Sequence, residues 1–163
     1  MKLVRTLALF AATFAVTAGC SKAPESSRWD KKNDEVKKTE KPADAPKVTA
    51  GGAFNKFFPP DGADGKRTFT QEKEGYAEAK LQKDGKEIAT LSIADVSTNP
   101  DAKKKYDGAS DKVAGHPLTT LGSTMSSVLV KDRYQVRVSS PSLDANARKD
   151  LLGKFDLAGL SKL

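Results

Sequence analysis

One cysteine, Cys20, and one histidine, His116, are all that the chain holds of the two residue types that most often bind transition metals. A lone cysteine excludes an internal disulfide, so the fold must rest on its core alone. Without a second histidine or thiol, a zinc site or any other nitrogen and sulfur site lacks ligands. Phosphate-binding glycine loops, dinucleotide fingerprints and the Gly-x-Ser-x-Gly pattern of a nucleophile elbow are also missing. His116 joins Asp95 and Ser123 in a Ser-His-Asp set only on paper. "DGADG", residues 61–65, sets Asp61 and Asp64 beside glycines but lacks the later bidentate glutamate of a calcium loop, and it reads as a turn. No catalytic residue, metal or cofactor is expected, and the protein is read as not an enzyme.

Charge of one sign is not in large excess either. The 28 basic and 21 acidic side chains give a net charge of +7, and with 37% hydrophobic and 30% charged residues the chain falls among ordinary soluble globular proteins. Its 163 residues suffice for one domain with appendages. From Gly51 to Leu163 the balance is 18 basic to 15 acidic, with no aromatics interleaved among the basic runs. That pattern argues against a nucleic-acid partner.

Long apolar runs are scarce as well. Lys2 and Arg5 are followed by a stretch of fourteen residues, Thr6 to Gly19, which carries no charge and leads up to Cys20. It is short of the roughly 20 apolar residues that span a bilayer and is diluted by threonines, which is the shape of a signal peptide. Ending in Thr17-Ala18-Gly19-Cys20, it resembles the lipobox of bacterial lipoproteins, with Thr17 where that family prefers an aliphatic residue. The resemblance covers about the first 21 residues. It implies that residues 1–19 are cleaved off and that Cys20 is the lipidation site, carrying two or three acyl chains, palmitate among them. Each buried CH₂ contributes about 0.8 kcal/mol, so one chain holds marginally and two or more hold stably. Ser21, where an aspartate would mark retention, implies the outer membrane facing the periplasm if the host is Gram-negative.

Residues 20–50 form the next unit. Between Ser21 and Ala50 stand eight basic and six acidic residues, three prolines, and no large apolar side chain beyond Trp29, Val36 and Val48. Such a segment buries too little surface to offset its ordering entropy and is expected to be a disordered tether. Trp29 is either an interfacial anchor or an inconsequential surface residue.

Residues 51–163 are expected to be the folded domain. Phe54, Phe57 and Phe58 have helical spacing and read as core. Ala77, Ala79 and Leu81 alternate with polar residues, as do Ala89, Leu91 and Ile93, and the Asp84-Gly85 pair between them marks a hairpin. Asn99 and Pro100 open a short helix toward Tyr106, whose Lys103-Lys104-Lys105 run reads as an exposed face. Three more strands are expected near 118–121, 125–130 and 133–139, and then a helix capped by Ser142 or Asp144, with a stripe of Ala147, Leu151, Leu152 and Phe155.

The fold class is α+β: an antiparallel sheet of about five strands in two meander or hairpin units, packed by a C-terminal helix. The functional expectation is a membrane-tethered envelope lipoprotein with a non-catalytic interaction domain. Its partners would be the membrane, through the lipid on Cys20, and an envelope protein. The alternative is a tethered binder of a small hydrophobic or lipid-like ligand, held on the apolar face between sheet and helix.

Overall fold

The computed structural model describes residues 46–163. The expected signal peptide, Cys20, Trp29 and the tether up to residue 45 lie outside the described residues.

Seven antiparallel strands form one sheet: β1 (Lys66–Lys73), β2 (Tyr76–Lys83), β3 (Lys86–Asp95), β4 (Lys112–Val113), β5 (His116–Leu121), β6 (Met125–Val130) and β7 (Tyr134–Ser139). Their spatial order is β1-β2-β3-β7-β6-β5-β4. Two meanders, β1 to β3 and β4 to β7, therefore meet at a seam where β3 pairs with β7, Leu91 opposite Val138 and Ile93 opposite Val136. All five expected strands are present, and the count of five is corrected to seven. The two additions carry no period-two signal: β1 has Phe69 as its one large apolar residue and is mostly exposed, and β4 is two residues long.

Tight turns close the meanders. At Asp84-Gly85 and at Lys131-Asp132 both residues have positive φ, between 51° and 74°, the backbone that matches the twist of a two-residue hairpin. Lys131-Asp132 achieves this without glycine.

The inner face of the sheet carries the alternating residues Ala77, Ala79, Leu81, Leu91, Ile93, Val128, Val130, Tyr134, Val136 and Val138, all buried. Onto it pack the 3-10 helix Gly51–Phe57 and two C-terminal helices, α2 (Ala145–Gly153) and α3 (Leu157–Leu160). Phe54 meets the Tyr134 ring edge-on at 5.9 Å, and Phe58 meets Phe69 at 5.2 Å and Phe155 at 5.4 Å. Leu152 and Leu160 are wholly buried, each stabilising the fold by about 2–3 kcal/mol. Asp144 caps α2, its Oδ1 accepting from the Ala147 N–H at 2.8 Å, and Asp156 caps α3 by the same device through Gly159 at 2.7 Å. The single helix read through Phe155 is thus broken after Gly153, and Phe155 lies in the joint.

The link from β3 to β4 crosses the outer face and carries α1 (Asp101–Lys104). Asn99 Oδ1 accepts from the Ala102 N–H at 3.2 Å, as its place before the helix foretold. Val96, Tyr106 and Leu129, with Ala94 and Ala102, form a small second core beneath this link. Part of the outer face is left uncovered, and the polar groups of the fold gather there.

Candidate functional site

Outward-facing positions on neighbouring strands align by register. Glu78 on β2 stands opposite Ser92 on β3, Ser92 opposite Arg137 on β7, and Arg137 opposite Ser127 on β6. One row below, Tyr76 is followed by Ala94, Gln135 and Leu129. Tyr106, delivered by the link after α1, completes the group.

A chain of hydrogen bonds, part-buried at Arg137 and buried beyond it, runs through the group. Arg137 Nη2 donates to Gln135 Oε1 at 2.8 Å, Gln135 Nε2 donates to Tyr106 Oη at 2.8 Å, and the Tyr106 hydroxyl donates to Ser127 Oγ at 2.8 Å. Separately, Tyr76 Oη donates to Glu78 Oε2 at 2.6 Å, and Thr70 Oγ1 to Glu78 Oε1 at 3.0 Å. Lys105 places its ammonium 5.3 Å from the centre of the Tyr106 ring.

Burial disfavours the charged forms of Tyr106, Tyr76 and Lys105. It raises the Tyr106 phenol, against which the hydrogen bonds to Ser127 and Gln135 act. It raises the Tyr76 phenol too, and the hydrogen bond to Glu78 adds to the effect. Burial lowers Lys105, and the positive charge of Arg137 lowers it further. This arrangement offers hydrogen-bond donors and positive charge, and its one carboxylate, that of Glu78, is taken up by Tyr76 and Thr70.

The residues singled out from the sequence lie elsewhere. His116 opens β5 and Ser123 sits in the turn beyond its far end, so they are about 17 Å or more apart at ~3.3 Å per residue. Asp95 ends β3, and its buried carboxylate is already occupied. Asp61 accepts from the Arg67 N–H at 2.9 Å and faces Arg67 Nε at 3.7 Å, while Asp64 pairs with Lys154 at 2.5 Å. The DGADG turn therefore uses its carboxylates on cations of the protein. Among the described residues, no three histidine, cysteine or acidic side chains are placed to hold a metal. Cys20 lies outside the described residues.

A shallow groove of about 350 Å³ separates α2 from the hairpin β2–β3. Leu81, Ile88, Leu143, Ala147 and Leu151 line it, with Asp64, Lys83, Asp150 and Lys154 around the rim. Among the described residues the exposed large apolar side chains are Leu121 and Leu163, far too few for an extended greasy patch. No helix among the described residues is long and apolar enough to cross a membrane.

Sequence reasoning pointed Gln135 and Arg137 away from the core. It missed Tyr106 as their partner, since the pairing spans 29 residues and no local pattern announces it. In comparisons with known proteins, the chain matches no family model, no curated protein and no solved structure.

Proposed function

We propose that the protein is a bacterial envelope lipoprotein whose folded part is a non-catalytic interaction domain, anchored through acyl chains on Cys20. The observation that carries this reading is the lone cysteine closing the uncharged run behind Lys2 and Arg5, after small residues Ala18 and Gly19. Residues between Cys20 and the described part act as a spacer from the membrane. In a Gram-negative host Ser21 sends the protein to the outer membrane, facing the periplasm. The distance between His116 and Ser123 and the engagement of Asp95 by Arg133 support a non-catalytic role, as does a polar outer face rich in donors. Binding to a protein partner in the envelope is the activity this arrangement suits.

A native mass spectrum of the full-length protein, gently extracted from its own membranes, tests the proposal. A mass equal to the chain beginning at Cys20 plus acyl groups, with a second protein attached, is the expected result. A chain without lipid overturns the anchor, and a lipidated chain without a protein partner, either free or after cross-linking in intact cells, overturns the interaction role.

The groove beside α2 favours a second reading, a tethered binder of a small hydrophobic or lipid-like molecule. Its volume falls within the range of about 300–1,000 Å³ usual for ligand pockets. A small molecule co-purifying with the lipidated chain would move the weight to this reading.

A further inference from the structure

We infer that the outer face of the sheet carries an anion site in which Arg137 and Lys105 take a carboxylate or phosphate group beside the hydroxyl group of Ser92, the residue opposite Arg137 in the register. The inference rests on that face alone and stands apart from the anchor.

Four arginines lie among the described residues, and three of them make several polar contacts each. Arg67 donates to the Phe58 and Pro59 carbonyl oxygens and faces Asp61. Arg133 grips Asp95. Arg148, itself buried, donates to Ser126 Oγ and to the carbonyl oxygens of Ser123 and Leu143. Arg137 is the exception: it makes one hydrogen bond, to Gln135, and its Nε is buried without a partner. A guanidinium has five N–H donors, so most of this one's are unused. Native structures rarely leave a buried donor unpaired, and such a group calls for an explanation.

The same contrast separates the three consecutive lysines after Ala102. Lys103 pairs with Asp132 at 3.2 Å and Lys104 with Asp101 at 2.7 Å, whereas Lys105 has no carboxylate partner among the described residues. Lys105 instead lies half-buried with its ammonium over the ring of Tyr106, the residue that Gln135 links to Arg137. Bringing two like charges together where water is partly excluded costs stability. An oxyanion between them reverses the sign of that interaction and supplies the missing acceptors.

Glu78, the acidic residue in the same cross-sheet row, does not fill this role. It lies two strands from Arg137, about 10 Å between backbones at the usual ~4.8 Å strand spacing, and it accepts from Tyr76 and Thr70 instead. The Gln135–Tyr106–Ser127 chain, meanwhile, fixes the guanidinium in place before any ligand arrives. Preorganisation of this kind strengthens binding because less freedom is lost on association.

Nuclear magnetic resonance on the nitrogen-15-labelled full chain tests the site, with inorganic phosphate and succinate titrated separately at constant ionic strength. Saturable movement of the Arg137 Nε–H and Gln135 side-chain amide signals is expected. Saturation by one probe alone supports the site and assigns its class, phosphate or carboxylate. Arg137→Gln and Lys105→Gln should each weaken binding at least about tenfold, and Lys104→Gln should leave it unchanged. Signals that stay still with both probes, that drift linearly without saturating, or that respond equally in all three variants would overturn the inference. The wild-type titration stands whether or not the Arg137 variant folds.

Discussion

Arg133 closes on Asp95 with both ends of its guanidinium, Nε at 3.2 Å from each carboxylate oxygen and Nη2 at 2.8 Å from Oδ2. The carboxylate is fully buried, the arginine 29% exposed. Asp95 also accepts from the backbone N–H groups of Thr49 and Ser97, each at 3.0 Å. Arg133 Nη2 donates onward to the Lys47 carbonyl oxygen at 2.8 Å. One ion pair thus fastens the segment ahead of the 3-10 helix to the ends of β3 and β7.

Replacing Asp95 by asparagine leaves Arg133 and the Thr49 N–H with weaker acceptors in a confined place. We expect Asp95→Asn to lower the unfolding free energy by about 2–4 kcal/mol. In urea titration the midpoint should fall with an unchanged slope. A loss below about 0.5 kcal/mol, the scale of an ordinary surface substitution, would show that the pair does not hold this end of the sheet.

Acid should release the same clasp. Burial pushes the Asp95 carboxyl up, but the hydrogen bonds from Arg133, Ser97 and Thr49 outweigh it and hold it well below the usual carboxylate range. A carboxyl depressed in the folded state binds fewer protons there than when unfolded, so its contribution is complete above the unfolded value of about 3.9 and declines as pH falls below it. Wild-type stability should therefore drop below pH ~4 by up to about 1.4 kcal/mol per pH unit from this group. Asp95→Asn should lack that component, which denaturation curves at successive pH values will read directly.

Gly51 has no room for a side chain. A Cβ there would stand 2.4 Å from the carbonyl oxygens of Lys73 and Tyr76, both backbone atoms at the end of the β1–β2 hairpin. Gly51→Ala should cost about 1–3 kcal/mol through overpacking. Gly52→Ala, where the nearest atom is 3.4 Å away and belongs to the flexible Glu72 side chain, is the matched control and should be close to neutral.

Tyr106→Phe removes the hydroxyl that joins Gln135 to Ser127. Both partners are buried, at 4% and 0% exposure, so water cannot replace it. The expected loss is about 1–3 kcal/mol. Hydrogen exchange of the Gln135 side-chain amide should rise in parallel, and unchanged exchange would mean that the network does not depend on the tyrosine.

Legibility from sequence followed the range of the interactions. Ala77, Ala79 and Leu81, and likewise Tyr134, Val136 and Val138, announced their strands because one face is buried against helices and the other is polar. Asp144 was readable as a cap because capping is local, whereas the short helix starts one residue later than expected, with Pro100 at its N-cap and Asn99 accepting from the Ala102 N–H. β1 was invisible because it is a charged edge strand that buries little, and β4 because two residues hold no period. Arg148 lies one residue from the expected apolar stripe of its helix, yet it is 1% exposed, its head held by Ser126 and two carbonyl oxygens that only the folded chain brings near. The outer-face site was illegible for the same reason. Arg137 and Lys105 look like ordinary surface charges until the register and the link after α1 bring both to Tyr106, Arg137 through Gln135 and Lys105 over the ring, while Lys103 and Lys104 find acids and Lys105 does not.

The clasp at Thr49 also determines how the domain bears a mechanical load. A pull on the chain from its N-terminal side reaches Lys47 and Thr49 first, and these are fastened to Asp95 and Arg133 on β3 and β7, the two strands of the central seam. Tension passes into the middle of the sheet, where pairing partners flank each strand on both sides, and it meets the edge hairpin β1–β2 only at its turn, where the Thr49 carbonyl oxygen accepts from the Gly75 N–H at 2.7 Å.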